Sequence, residues 1–153
     1  TREKKNDHII DYFKSKEIKY KNRKLDCGDY SLMLPADKEL GIIKDMYFDD
    51  KVMIERKASL EEVSGNFTRN RTQFENELIR SGNSKFIMMI ESPEGYMDIL
   101  KHNYRTEYNP KSFIATLHTF RHRYNTDLIF IDKAAAGNFI YYTLYYWIRE
   151  HLK

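Results

Sequence analysis

Residues 52–57 read Val-Met-Ile-Glu-Arg-Lys: three apolar side chains, then a carboxylate, a guanidinium and an ammonium without a break. An apolar run of this kind is the pattern of a strand covered on both faces. Side chains alternate along a strand, so Glu55 and Lys57 share one face and Arg56 takes the other. Buried charges cost several kcal/mol when they lack partners. Partners or a ligand must therefore sit at this strand end, and open α/β sheets place ligand sites at the carboxyl ends of strands.

The rest of the chain supplies the elements around that strand. Residues 84–92 hold five consecutive apolar side chains and predict a second buried strand, and 127–132 predict a third. Helices are expected over 95–103, over 109–126 with Pro110 near the first turn, and over 134–153. Residues 5–16 predict an opening helix capped by Asn6 or Asp7, with Ile9, Ile10 and Phe13 at helical spacing. Residues 17–25 alternate weakly and are expected to form a strand. Residues 27–35 predict a strand ending at Pro35, 36–42 a loop or hairpin tip, and 47–57 the charged strand. Residues 59–81 are expected to be helical with a break at Ser64-Gly65. This order predicts one α/β domain over residues 1–153, with a mixed central sheet flanked by helices on both faces.

The 153 residues suffice for a real core, and 41% hydrophobic with 32% charged residues exclude a disordered or fibrous chain. No apolar run approaches the roughly 20 residues of a membrane span. Cys27, the single cysteine, cannot form an internal disulfide, so a reducing cytoplasm is the expected location. The net charge of +3 permits nucleic-acid binding without arguing for it, so local patches must carry that case.

Two readings of Glu55-x-Lys57 stand side by side. One is a structural ion pair at a strand end. The other is metal-assisted phosphodiester hydrolysis, in which a carboxylate is a hard ligand for Mg²⁺ or Mn²⁺. A lysine beside it can orient the attacking water or offset developing charge. A second acid is then needed, and Asp29, after Gly28, is the best placed.

Gly28-Asp29, followed 26 positions after Asp29 by Glu55-Arg56-Lys57, resembles the XPF/Hef-type nuclease family, a branch of the restriction-endonuclease-like fold. Arg2-Glu3 match the second half of that family's Asp-x-Arg-Glu segment, so its Asp and first strand are expected ahead of Thr1. Arg69 and Gln73 match an Arg-x-x-x-Gln of the following helix. Glu61 stands where the family has Asp, and these 153 residues hold no stretch matching the helix-hairpin-helix module of larger members. A small stand-alone phage or bacterial-type member, in a bacterial or phage-infected cell, is the expectation.

The resemblance implies a divalent-metal-dependent DNA endonuclease selective for branched or flapped DNA. Asp29 and Glu55 would bind Mg²⁺ or Mn²⁺, with Glu3 as a further acid and Lys57 at the water or the phosphate. Arg56 belongs to the site's polar network or to a structural pair. A non-catalytic DNA-binding subunit of the same fold is the alternative function, and the surviving acids discriminate against it. A relative that cuts unbranched duplex is a third reading.

Arg69, Gln73, Asn76 and Arg80 are expected to form one polar stripe, lining a DNA channel or facing water, opposite Phe67, Phe74 and Leu78. His118 and His122 stand at i,i+4 between arginines and suit a basic face or a solvated one better than zinc, which would need further ligands. Tyr141, Tyr142, Tyr145, Tyr146 and Trp147 crowd the last helix. They either cover the sheet or form an aromatic surface for a homodimer.

Overall fold

The structure, a computed structural model, describes residues 5–153, so Glu3 lies outside the described residues. In chain order they form α1 (Asp7–Ser15), β1 (Met33–Leu34), β2 (Met46–Tyr47), β3 (Val52–Lys57), α2 (Leu60–Phe67), α3 (Arg71–Ser81), β4 (Lys85–Ile90), α4 (Gly95–Leu100), α5 (Pro110–Arg123), β5 (Asp127–Phe130) and α6 (Ala136–His151). β3, β4 and β5 make a parallel sheet in that order, while β1 and β2 pair as a small antiparallel hairpin. The fold is mixed α/β, as expected for a restriction-endonuclease-like chain.

The strands form where the apolar runs predict them because each run is buried on both sides. Met53, Phe86, Met88 and Ile90 point into a core shared with Leu60, Val63, Phe67, Phe74, Phe113 and Phe120 of α2, α3 and α5. Val52, Ile54, Ile87 and Met89 point the other way, against Ile9 and Phe13 of α1 and Ile140 and Leu144 of α6. Helices thus cover both faces. Asn109 caps α5 by accepting from the Ser112 N–H, and Pro110 starts that helix, where its missing N–H costs nothing.

The structure corrects several sequence expectations. Residues 17–25 form no strand: the segment is an exposed cationic coil without a ladder partner. The strand expected over 27–35 pairs in the hairpin only at Met33–Leu34, while Tyr30 bridges Ile54 of β3 antiparallel. The strand over 47–57 is two strands, because a turn at 48–51 carries the chain from the hairpin into the sheet. The helix does not break at Ser64-Gly65. It runs through both residues so that Phe67 can reach the rings of Phe74, Phe113 and Phe120, and it stops at Thr68 (φ −119°, ψ −99°). Arg69 therefore lies in the turn between α2 and α3, not on one helix with Gln73.

Candidate active site

All six residues of β3 are buried, including Glu55, Arg56 and Lys57 at 5–6% exposure. Each charge has a distinct solution. Arg56 points to the α1–α6 side. There Nε and Nη2 donate to the two carboxylate oxygens of Glu91 at 2.8 and 2.9 Å, and Nη2 also donates to the Lys5 carbonyl at 3.3 Å. His8 of α1 meets the same Glu91 carboxylate at 2.7 Å. Burial alone would raise the Glu91 carboxyl, but the bonds from Arg56 and His8 outweigh it and hold the group below the usual carboxylate range. Glu91 follows β4 directly, and its N–H donates to the Lys57 carbonyl at 2.8 Å.

Glu55 points to the opposite face, toward α3. Its carboxyl is in hydrogen-bonding reach of Glu77 and Asp29, and Lys57 acts on it from the same face. Burial, then the neighbouring Glu77 and Asp29 carboxyls, push Glu55 well above the ordinary range, and the Lys57 ammonium offsets this only in part. Lys57 itself sits 4.9 Å from the centroid of the Phe74 ring and 3.9 Å from a Glu62 carboxylate oxygen.

Asp29 reaches the site through a tight crossing. Gly28 has φ +73°, and a Cβ there would come within 3.0 Å of Met53, so only glycine lets the chain lie this close to β3. The next residue then offers its carboxylate to the Arg56 backbone N–H at 2.8 Å, while its own N–H donates to the Ile54 carbonyl at 2.8 Å. Asp29 is thereby tied to the strand that carries Glu55.

Carboxylates this close cannot all ionise unless a proton or a cation lies between them. The donor set is hard oxygen, which suits Mg²⁺ or Mn²⁺ rather than zinc. Among the described residues no group of three or more histidine, cysteine, aspartate and glutamate side chains is arranged to hold a metal ion. The fit to a cation therefore rests on the crowding around Glu55.

The residues ahead of and around this cluster match the ERCC4 domain over positions 1–143. The chain belongs to the ERCC4 domain family. Neither the curated proteins nor the solved structures compared with it contain a match. Membership points to a nuclease acting on DNA, and no helix among the described residues is long and apolar enough to cross a membrane.

In this ERCC4 domain, Gln73 and Arg80 lie exposed on α3, on the face that carries Glu77. Arg69 lines a separate polar cleft with Glu61, Thr68, Thr106 and Tyr108. Glu61 accepts from the Arg105 N–H at 2.8 Å and so holds the loop before α5. His118 is engaged by Tyr96 and Arg121 at 2.9 and 3.2 Å. Cys27 is core, its thiol donating to the Glu77 carbonyl at 3.6 Å and pushed up by burial.

Sequence reasoning missed Glu77, Glu91 and His8. Glu77 stands four residues after Gln73 and three before Arg80, in the middle of the stripe already drawn. Glu91 follows the apolar run of β4 as Glu55 follows the apolar run Val52-Met53-Ile54 in β3. His8 gave no sequence signal, because its partner is 83 residues away.

Proposed function

We propose that this ERCC4 domain is a divalent-metal-dependent endonuclease that hydrolyses phosphodiester bonds in branched or flapped DNA, in recombination, repair or replication. The observation that carries the reading is the buried Glu55 carboxyl, crowded by Asp29 and Glu77 beside the Lys57 ammonium. Asp29 and Glu55 would hold Mg²⁺ or Mn²⁺, with Glu77 as a further oxygen donor. A divalent ion there supplies Lewis acidity at the scissile phosphate.

The protein's own groups do the rest. Asp29 is fixed by the Arg56 N–H, so its carboxylate enters the site pre-oriented. Lys57, desolvated against Phe74, presents a positive charge to the phosphate or to the attacking water. Arg56 is a positioning residue: its bond to Glu91 locks the end of β3 from behind. Gln73 and Arg80 contact the DNA backbone along α3, and Arg69 does so from the turn before it. Glu3 completes the acid set from the amino-terminal segment. Two copies pair through the exposed rings of Tyr142 and Tyr146 on α6.

Cleavage of end-labelled flap, fork, four-way junction and plain duplex DNA, with Mg²⁺, Mn²⁺ or EDTA, tests this. Metal-dependent cuts near the branch that vanish in Asp29→Asn and Glu55→Gln are the expected result. Binding without cutting would favour the non-catalytic subunit. Variants that cut like the parent would remove these residues from the site.

A further inference from the structure

Residues 19–24, Lys-Tyr-Lys-Asn-Arg-Lys, place four cations within six positions, and all are exposed. Mutual repulsion makes such a segment costly to hold in one place unless something fixes it. Tyr47 of β2 fixes it. The Arg23 guanidinium lies 3.7 Å from the Tyr47 ring centroid, and the Lys21 ammonium lies 5.4 Å from it while donating to the phenol oxygen at 2.8 Å. Arg23 also approaches Asp49 at 3.9 Å. The arm is thus pre-organised with an excess of positive charge, and it leads within a few residues to Asp29.

Beneath the arm lies a cleft of about 280 Å³ between α1, the hairpin and α6. Its lining is aromatic and aliphatic, with the rings of Phe13, Tyr20, Tyr47, Tyr141 and Tyr145, and Lys19, Lys21 and Arg23 stand among its wall residues. Asp29 is part of the same wall. Tyr20 keeps 43% of its surface exposed. Cations that follow a phosphate backbone beside rings that accept an unstacked base are the two components of single-strand recognition. A duplex, whose bases are already stacked inside, would use the cations and leave the rings idle.

We propose that the Lys19–Lys24 arm and the aromatic cleft below it bind a single-stranded stretch of the DNA substrate, with the cations on its phosphates and one unstacked base against Tyr20. The proposal rests on DNA as the substrate and adds the strand state and its place on the protein. The strand that leaves the duplex at a branch would then lie on the α1–α6 side of the sheet, where Asp29 is among the residues lining the cleft.

Fluorescence anisotropy in EDTA tests it without cleavage, using labelled 20-nucleotide oligo(dT) and a 20-base-pair duplex across a salt series. Replacing Lys19, Lys21 and Arg23 together by Gln is expected to weaken oligo(dT) binding and to flatten its log–log salt slope by about 2, from three phosphate contacts at ~0.7 each. Tyr20→Ala is expected to weaken oligo(dT) roughly 5- to 150-fold, as one lost stacking partner does, and to leave duplex binding unchanged. An unchanged salt slope in the triple variant, or a Tyr20→Ala loss equal for oligo(dT) and duplex, would overturn it. Cleavage assays report separately on the nuclease reading: binding as expected with no cutting removes that reading and leaves this one standing.

Discussion

Arg56 and Glu91 meet through two parallel hydrogen bonds of 2.8 and 2.9 Å on the face of the sheet away from Glu55. Both side chains are almost fully buried, at 4% and 2% exposure. Glu91→Ala removes the carboxylate that takes both of these bonds from the buried guanidinium. The expected loss of stability is about 3–5 kcal/mol, the usual result of breaking a buried pair from one side. Urea unfolding followed by circular dichroism measures it.

The same pair sets an acid limit. The folded state holds the Glu91 carboxyl below its unfolded value. Its contribution is therefore complete above the unfolded value near 4.3 and is lost as pH falls through the lower folded one. The stability difference between the parent and Glu91→Gln should be constant from pH 8 to 6 and shrink below about pH 4. A difference that grows with acid would contradict this sign.

Glu55 runs the other way. Its folded carboxyl is raised, so its stabilising contribution is complete below the unfolded value and is lost as pH rises from there through the higher folded one. Without divalent metal, Glu55→Gln should melt higher than the parent at pH 7.5, by roughly 2–4 °C for each kcal/mol relieved, and the gain should fade near pH 4. The Gln amide has two N–H donors for Asp29 and Glu77, where the protonated acid has a single O–H for one of them. Adding Mg²⁺ should stabilise the parent by the usual linkage, up to about 2.7 kcal/mol at a hundredfold excess over Kd, and so raise its melting temperature while leaving the variant's unmoved.

Glu77 distinguishes a metal site from a plain cluster of acids. Glu77→Gln removes one oxygen donor while keeping Glu55 hydrogen-bonded. The Mg²⁺ concentration for half-maximal cleavage is expected to rise about 10- to 100-fold, with the maximal rate changed far less. Titration of cleavage against free Mg²⁺ reads both quantities. An unchanged midpoint would place Glu77 outside the metal site.

Tyr142 and Tyr146 stack at 6.1 Å and stand 44% and 50% exposed on α6. Equilibrium sedimentation at micromolar protein should give a dimer for the parent and a monomer for Tyr142→Glu with Tyr146→Glu. A parent that sediments as a monomer would discard the pairing surface.

What was legible in the sequence followed from burial. The runs at 52–57 and 84–92 read as strands because both faces are covered, and the alternation of Glu55 and Lys57 against Arg56 followed from the strand period alone. Asp29 and Glu55 came from motif and resemblance, and the fold brings them together at Ile54 and Arg56. Distance in sequence hid the remainder. Glu77 comes from α3, beyond the whole of α2, and Glu91 and His8 join Arg56 from 35 and 48 positions away. The alternating pattern of 17–25 misled because it describes side-chain order and says nothing about whether a neighbouring strand is there to pair with. Ser64 and Gly65 read as a helix break on propensity, but the ring packing of Phe67 outweighed it.

The alternation along β3 also sets where this chain can change length. A single residue inserted in the turn at 48–51 that slipped the strand by one would carry Arg56 to the face of Glu77 and send Glu55 and Lys57 toward Glu91. Both charge networks would be lost together. The tip of the β1–β2 hairpin, where Leu40 and Ile43 are 74% and 96% exposed, carries no such burden. Graft sites for tags or loops therefore belong at the hairpin tip, and the four residues before Val52 form a spacer of fixed length.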